Sequence, residues 1–148
     1  MTTLTITQIT EGIRDTLAPA EGLKRVESGV TLTESIPDTP LLQVYFQDEE
    51  TDIASQTDRT TFRGGVKQAG VTHHADVYVR QRGNIGEDIA ACEEMAEAVR
   101  TLLASQNTKP YFGLDGLKAF HWRAERVTFE YADVKYSGIR FVITTRVF

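Results

Sequence analysis

Residues 72–105, THHADVYVRQRGNIGEDIAACEEMAEAVRTLLAS, decide the fold of this chain. In and just before the first part of this stretch, from Val71 to Arg82, two sets of side chains alternate along the chain. One set holds Val71, His73, Ala75, Val77 and Val79, and the other holds Thr72, His74, Asp76, Tyr78 and Arg80. Successive side chains of a strand point to opposite faces of its sheet. The alternation predicts a half-buried strand whose two adjacent histidines face opposite ways and cannot share one ion.

The second part of the stretch predicts an amphipathic helix. Asn84 stands at an N-cap position, and Glu87 and Asp88 follow in the first turn, where the helix dipole favours acids. Apolar residues recur at helical spacing and are expected to face the core: Ile85, Ile89, Cys92, Met95, Ala96, Val99, Leu102 and Leu103. Cys92 is then a small core residue and not a nucleophile. We interpret the whole stretch as architecture, a strand that leads into a helix.

The N-terminal segment predicts a second helix. Thr5 and Gln8 match a capping box, in which each side chain bonds the other residue's backbone amide. Pro19 ends the pattern. Four residues mark its apolar face: Ile6, Ile9, Ile13 and Leu17. Such a short amphipathic helix needs a sheet to lie on.

A buried strand and a long polar segment follow. LLQVYF at 41–46 is rich in β-forming residues, and residues 23–26 form a weaker strand candidate. The next polar residues divide into an acidic half, which ends at Asp58, and a basic half, which begins at Arg59. Gly64-Gly65, between Thr60-Thr61-Phe62 and Val66, is a hairpin-turn signal. Connections of this length inside a domain are usually functional or disordered. We expect an extended hairpin arm over about residues 47–70.

The C-terminal residues predict a β-hairpin and complete the fold class. Its strands are expected at Trp122–Tyr131 and Gly138–Phe148, joined by Ala132–Ser137. The order is helix, strands, arm, strand, helix, hairpin. This order predicts one α+β domain over residues 1–148, with a mixed, mainly antiparallel sheet flanked by two α-helices.

Composition and charge restrict the function classes. The chain has 148 residues, a formal net charge of −5 and one cysteine, so an internal disulfide is excluded. Residues 1–58 hold 3 basic and 11 acidic side chains, and the remainder hold 13 basic and 10 acidic ones. Such asymmetry suits contact with a partner or another copy, and also suits ordinary solvation. We expect no membrane span, no targeting segment and no tight binding to nucleic-acid phosphates.

Catalytic and metal-binding motifs are absent from the sequence. No HExxH, CxxC, GxSxG, GxGxxG or P-loop pattern occurs. The best metal candidate combines His74 and Asp76, which share a strand face, with His121. A small metal-dependent hydrolase that uses these three residues is the enzymatic alternative. Our expectation is a protein without enzymatic activity or cofactors.

A nucleic-acid platform is a further alternative. The C-terminal hairpin interleaves aromatic and basic residues, which could stack and hold a single strand. They are Trp122, Arg123, Arg126, Phe129, Tyr131, Lys135, Tyr136 and Arg140. The same aromatics suffice to build a core against two helices.

In the arrangement of these segments the chain resembles the tail terminator (tail-completion) proteins of long-tailed bacteriophages. The resemblance runs through TITQITEGIRDTL, LLQVYF, the TFRGG turn, HHADVYVRQR, EDIAACEEMAEAVRTLL and YSGIRFVITTRVF. It implies a homo-hexameric ring that caps the tail tube, ends tube polymerisation and joins the tail to the head. Another phage neck or tail-tube protein is the alternative within this class.

The resemblance also implies partners and a place in the particle. The partners are the tail tube protein and a head-completion or connector protein, while DNA passes the ring lumen without specific binding. The place is the tail-neck region of the virion, after assembly in the host cytoplasm. The arm is the expected contact with the tube or the next subunit. Its contact residues are Asp48, Glu49, Glu50, Asp52, Arg59, Phe62, Arg63 and Lys67.

Overall fold

In the part of the chain that the structure describes, a five-stranded sheet with two α-helices packed on one face forms the domain. The computed structural model describes residues 4–28, 39–51 and 69–147. The elements are α1 (Ile6–Leu17), β1 (Arg25–Ser28), β2 (Leu41–Thr51), β3 (Ala69–Gln81), α2 (Ile85–Ala104), a 3-10 turn (Tyr111–Gly113), β4 (Leu117–Tyr131) and β5 (Val134–Val147). The strand order is β1-β2-β3-β5-β4, and only the β1–β2 pair is parallel among these strands. The predicted α+β class is confirmed.

Helix α1 has the predicted cap. The Thr5 amide donates to Gln8 Oε1 over 2.8 Å, and the Gln8 amide donates to Thr5 Oγ1 over 3.1 Å. Ile9, Ile13 and Leu17 are buried against the sheet, whereas Ile6 in the first turn remains exposed. The predicted apolar face is therefore right for three of its four residues.

Strand β3 is the central strand, and its predicted alternation is confirmed from Val71 to Tyr78. Beyond Tyr78 it was wrong, because the register with β5 shifts between Tyr78 and Arg80 and Arg80 forms an ion pair with Asp88 of α2. The side chains of Val71, His73 and Ala75 are buried beneath the helices. Strands β2 and β5 pair with β3 on either side, which fixes its position in the middle of the sheet.

No described helix is both long enough and apolar enough to cross a membrane.

Helix α2 is capped by Asn84 as predicted, but its buried face differs from the predicted one. Ile85 is 61% exposed, and Asp88 is buried in its place. The buried face consists of Asp88, Cys92, Met95, Val99 and Leu103. Asp88 accepts a hydrogen bond from the Gly83 amide and forms a 3.1 Å ion pair with Arg80, and these contacts turn the first helical turn toward β3. The expectation that Ile85 faces the core was wrong for this reason.

The C-terminal hairpin is longer than predicted. Its connection is Ala132-Asp133 alone, with φ values of 51° and 63°, and Val134–Ser137 already belong to β5. Two consecutive residues with positive φ form the tight turn that matches the twist of antiparallel strands. Alanine rarely adopts this conformation, so the sequence carries no clear signal of the turn.

The expected arm lies only partly within the described structure. Gln47 to Thr51 continue β2, and residues 69 and 70 already belong to β3, so the base of the expected arm is sheet. Thr51 and Ala69 are register partners in this antiparallel pair. The rest of the predicted arm lies outside the described residues, together with Asp52, Arg59, Phe62, Arg63 and Lys67.

Candidate functional site

A β-bulge in β2 determines which face of the sheet its acidic side chains occupy. Tyr45 pairs with His74 and Phe46 pairs with His73, but the next pair is Asp48 with Thr72. The extra residue, Gln47, reverses the alternation of the strand. Asp48 and Glu50 therefore point to the face opposite the helices, and Glu49 points to the helix side.

These two carboxylates line a groove across the end of the sheet. The groove has a volume of about 370 Å³ and is lined by Asp48, Glu50, Gly70, Thr72, His121, Thr144 and Arg146. Its base is formed by the small residues Gly70, Thr72 and Thr144, which leave space above the sheet. The Thr72 and Thr144 hydroxyl oxygens lie 3.2 Å apart. Asp48 and His121 are three strand spacings apart, roughly 14 Å. We call this feature the end groove.

The end groove separates charge between its two sides. Asp48 and Glu50 stand on the β2 side, while Arg146 stands on β5 and His121 on β4. Of the eight expected contact residues, the structure brings Asp48 and Glu50 together here and places Glu49 on the other face. The other five lie outside the described residues.

A buried carboxylate anchors the middle of the same sheet face. Asp76 is 2% exposed although no described helix covers this side. Arg140 donates to both of its oxygens, from Nε over 2.8 Å and from Nη2 over 3.2 Å. The Tyr45 hydroxyl donates to Asp76 Oδ2 over 2.6 Å. Asp76 is therefore a satisfied ion-pair partner that locks β2, β3 and β5 together.

The protonation states of this cluster follow from its burial. Burial and the hydrogen bond to Asp76 raise the pKa of Tyr45, so its hydroxyl stays protonated as a donor. The hydrogen bonds to Asp76 raise the pKa of Arg140. Burial, together with the nearby Arg140, lowers the pKa of His74, whose Nδ1 lies 3.3 Å from the Tyr45 hydroxyl oxygen. At neutral pH the Arg140 guanidinium therefore stays charged beside a neutral His74 imidazole.

An aromatic layer continues this face toward the hairpin turn. Phe129 stacks on Tyr78 with 4.4 Å between ring centroids, and the Arg140 guanidinium lies 5.6 Å from the Phe129 ring centre. Phe129 lies across Gly138, where a Cβ atom would overlap both the Phe129 ring and the Val77 carbonyl oxygen. Gly138 thus creates the depression in which Phe129 is buried.

The metal-hydrolase residues lie in separate rows of the sheet. Asp76 is opposite Arg140, His74 is opposite Val142, and His121 is opposite Thr144. Both oxygens of Asp76 already bind Arg140. Within residues 4–28, 39–51 and 69–147, no group of three His, Cys, Asp or Glu side chains could hold a metal ion.

The aromatic residues of the hairpin do not share one face. Trp122 pairs with the buried Ile143 and packs near Phe141 on the helix side, whereas Phe129 is buried on the opposite face. Arg140 is engaged by Asp76. Trp122, Phe129 and Arg140 are therefore already in contact with the protein's own side chains.

Sequence reasoning missed Tyr45 and Arg140 as partners of Asp76. Tyr45, Asp76 and Arg140 lie on one face of the sheet, but they come from three different strands. They come within hydrogen-bonding distance because Asp76 pairs with Arg140 on one side and with Gln43, two residues before Tyr45, on the other. The chain matches no protein-family model and no curated protein sequence.

Proposed function

We propose that this chain is a subunit of a phage tail terminator ring, which caps the tail tube, ends its polymerisation and offers the surface that joins the head. The observation that carries the proposal is the base of the expected arm. The described part of β2 ends at Thr51 and that of β3 begins at its register partner Ala69, beside the end groove with its separated charges. The order of segments that resembles tail terminators supports the same reading.

A ring built from identical subunits joins two different patches on each copy. The end groove supplies an acidic patch, Asp48 and Glu50, and the sequence of the arm supplies a basic one, Arg59, Arg63 and Lys67. We infer that the basic half of one arm lies against the acidic side of the neighbour's end groove. Charge complementarity of this kind fixes the register of an interface and speeds its association.

Charge reversal tests this contact. Asp48→Lys with Glu50→Lys should abolish ring assembly on tail tubes, and Arg59→Glu with Arg63→Glu should do the same, while circular dichroism shows an intact fold. The four substitutions together should restore assembly, because the opposite charges again face each other. Electron microscopy of tube ends reports the outcome.

The matched control reverses two exposed helical acids, Glu11→Lys and Glu94→Lys, which changes the net charge equally away from the end groove. This control should assemble like the parent chain. Normal rings from either reversed pair would contradict the contact. Open polymers in place of closed rings would favour a tail-tube protein instead.

A further inference from the structure

Strand β4 is a long, open edge of the sheet. It spans 15 residues and pairs with β5 on one side, and no described strand pairs with its other side. Unpaired backbone amides and carbonyls along such an edge accept an added strand, and proteins usually shorten, cover or charge their edges to prevent this. The side chains of β4 show which partner this edge fits.

The charges of β4 are arranged symmetrically about Ala124. In an antiparallel pair of two β4 strands centred on Ala124, Arg123 of each copy stands opposite Glu125 of the other. In the same register Trp122 stands opposite Arg126, an aromatic–cation pair. Shifting the centre to residue 123 would place two Arg123 side chains together, and shifting it to residue 125 would place two Glu125 side chains together. The sequence therefore favours one register of self-pairing and disfavours its neighbours.

Arg123 and Glu125 are available for this contact. They are 65% and 43% exposed, and within one chain Arg123 Nη1 lies 3.3 Å from Glu125 Oε2. Two copies would bring the four charges together as an alternating square. If the charges of β4 served to prevent self-association, like charges would face each other in this register. Instead, each Arg123 faces a Glu125 of the other copy.

The helix side of β4 has matching free space. Helix α2 leaves a groove of about 330 Å³ beside β4, and we call it the seam groove. Its apolar lining includes Ile89, Cys92, Ala96, Ala124 and Ile139. Ile85, one helical turn before Ile89, extends its apolar stripe and is 61% exposed. Small Ala124 side chains at the centre let the two seam grooves meet.

We propose that β4 is a self-recognition edge that pairs antiparallel with β4 of a second copy, centred on Ala124. The two sheets then form one continuous sheet, and the α2 helices flank the seam. This contact is isologous and closes after two copies, whereas a ring contact is heterologous, so it is separate from the end groove and independent of the proposed function.

Cysteine cross-linking tests the register. In a Cys92→Ala background, Ala124→Cys places two thiols directly opposite each other, at the short Cα separation that a disulfide requires. Under mild oxidation most of the chains should become covalent dimers. The control is Thr128→Cys on the same face of β4, because in this register the two Thr128 positions are roughly 26 Å apart. Equal cross-linking of the two variants, or none with Ala124→Cys, would overturn the proposal.

Charge reversal provides an independent test by sedimentation velocity over a wide range of concentrations. Arg123→Glu places two pairs of like charges across the seam and should weaken dimerisation by at least about tenfold. Arg123→Lys should dimerise like the parent chain. Equal dimerisation by both variants, or a parent chain that stays monomeric throughout, would overturn the proposal. Loss of the β4 dimer with retained rings on tail tubes would leave the proposed function standing.

Discussion

Among single residues, His73 links α1 to the sheet. It is fully buried, and its Nε2 lies 2.7 Å from Thr10 Oγ1, whose hydroxyl donates to the Ile6 carbonyl. Because the Thr10 hydroxyl already donates its one proton to Ile6, it can only accept a hydrogen bond from His73. The His73 Nε2–H group is therefore the donor to Thr10 Oγ1. Burial lowers the pKa of His73 to about 4. The folded protein therefore holds a neutral imidazole at this position.

Stability should fall in acid because of this residue. The pKa of an unfolded histidine is near 6.5, so below that pH the unfolded chain binds a proton that the folded chain refuses until about pH 4. We predict a loss on the order of 3 kcal/mol in the free energy of unfolding between pH 7 and 4. Urea unfolding at several pH values measures it. His73→Leu should show a flatter pH profile, and an identical slope in both proteins would refute the prediction.

Gly138 is the second residue with a sharp prediction. Gly138→Ala should destabilise the fold by roughly 3 kcal/mol or more, because the new methyl group overlaps the Val77 carbonyl and the Phe129 ring. Gly70→Ala is the matched control, since its Cβ atom would have its nearest neighbour at 3.7 Å, an ordinary contact. It should change stability by less than about 1 kcal/mol. Similar denaturant midpoints for both variants would show that Phe129 does not need the depression.

Substitution of Asp76 should destabilise the fold more than substitution of Tyr45, which donates a hydroxyl hydrogen bond to it. Asp76→Asn leaves Arg140 without its bidentate partner and should cost about 2 to 3 kcal/mol. Tyr45→Phe removes one donor and should cost about 1 kcal/mol. Urea unfolding at pH 7 checks both values. A larger loss from Tyr45→Phe would mean that the ion pair is not what joins the three strands.

Within elements, the helix caps were predictable because they are local. The Thr5 capping box and the Asn84 cap each involve residues three positions apart, so the sequence alone specifies them. Thr5→Ala should cost about 1 kcal/mol, while Thr7→Ala, on the exposed side of the same helix, should cost little. Thermal unfolding compares the two variants. Equal melting temperatures would mean that the cap does not hold the helix start.

Register, bulges and helix rotation were not predictable in the same way. The Gln47 bulge decides that Asp48 and Glu50 point to the face opposite the helices, and its cause is the pairing with β3, which lies far away in sequence. The rotation of α2 depends on the ion pair of Asp88 with Arg80 across the strand–helix connection. The helical periodicity predicted that Ile85 faces the core, because periodicity reflects only the spacing of apolar residues and not the hydrogen-bond and ion-pair partners of polar ones. The elements were therefore foreseeable, whereas the end groove was not.

At the scale of the whole molecule, the sheet has one very short edge and one long one. β1 has four residues, and β4 has 15. The end groove lies beside the base of the expected arm, and the seam groove lies along β4. We expect the first to serve ring closure and the second to serve pairing of two copies. The α+β class followed from the sequence, but these surfaces depend on long-range pairing.

The most direct measurement is electron microscopy with rotational averaging of tail tubes incubated with the purified chain. The proposed function requires tubes from the phage whose tails the ring would cap. The proposed function predicts one closed, six-fold ring at a single end of each tube, with no further tube growth from that end. Tubes that remain uncapped and keep elongating, or that carry the chain along their whole length, would contradict it.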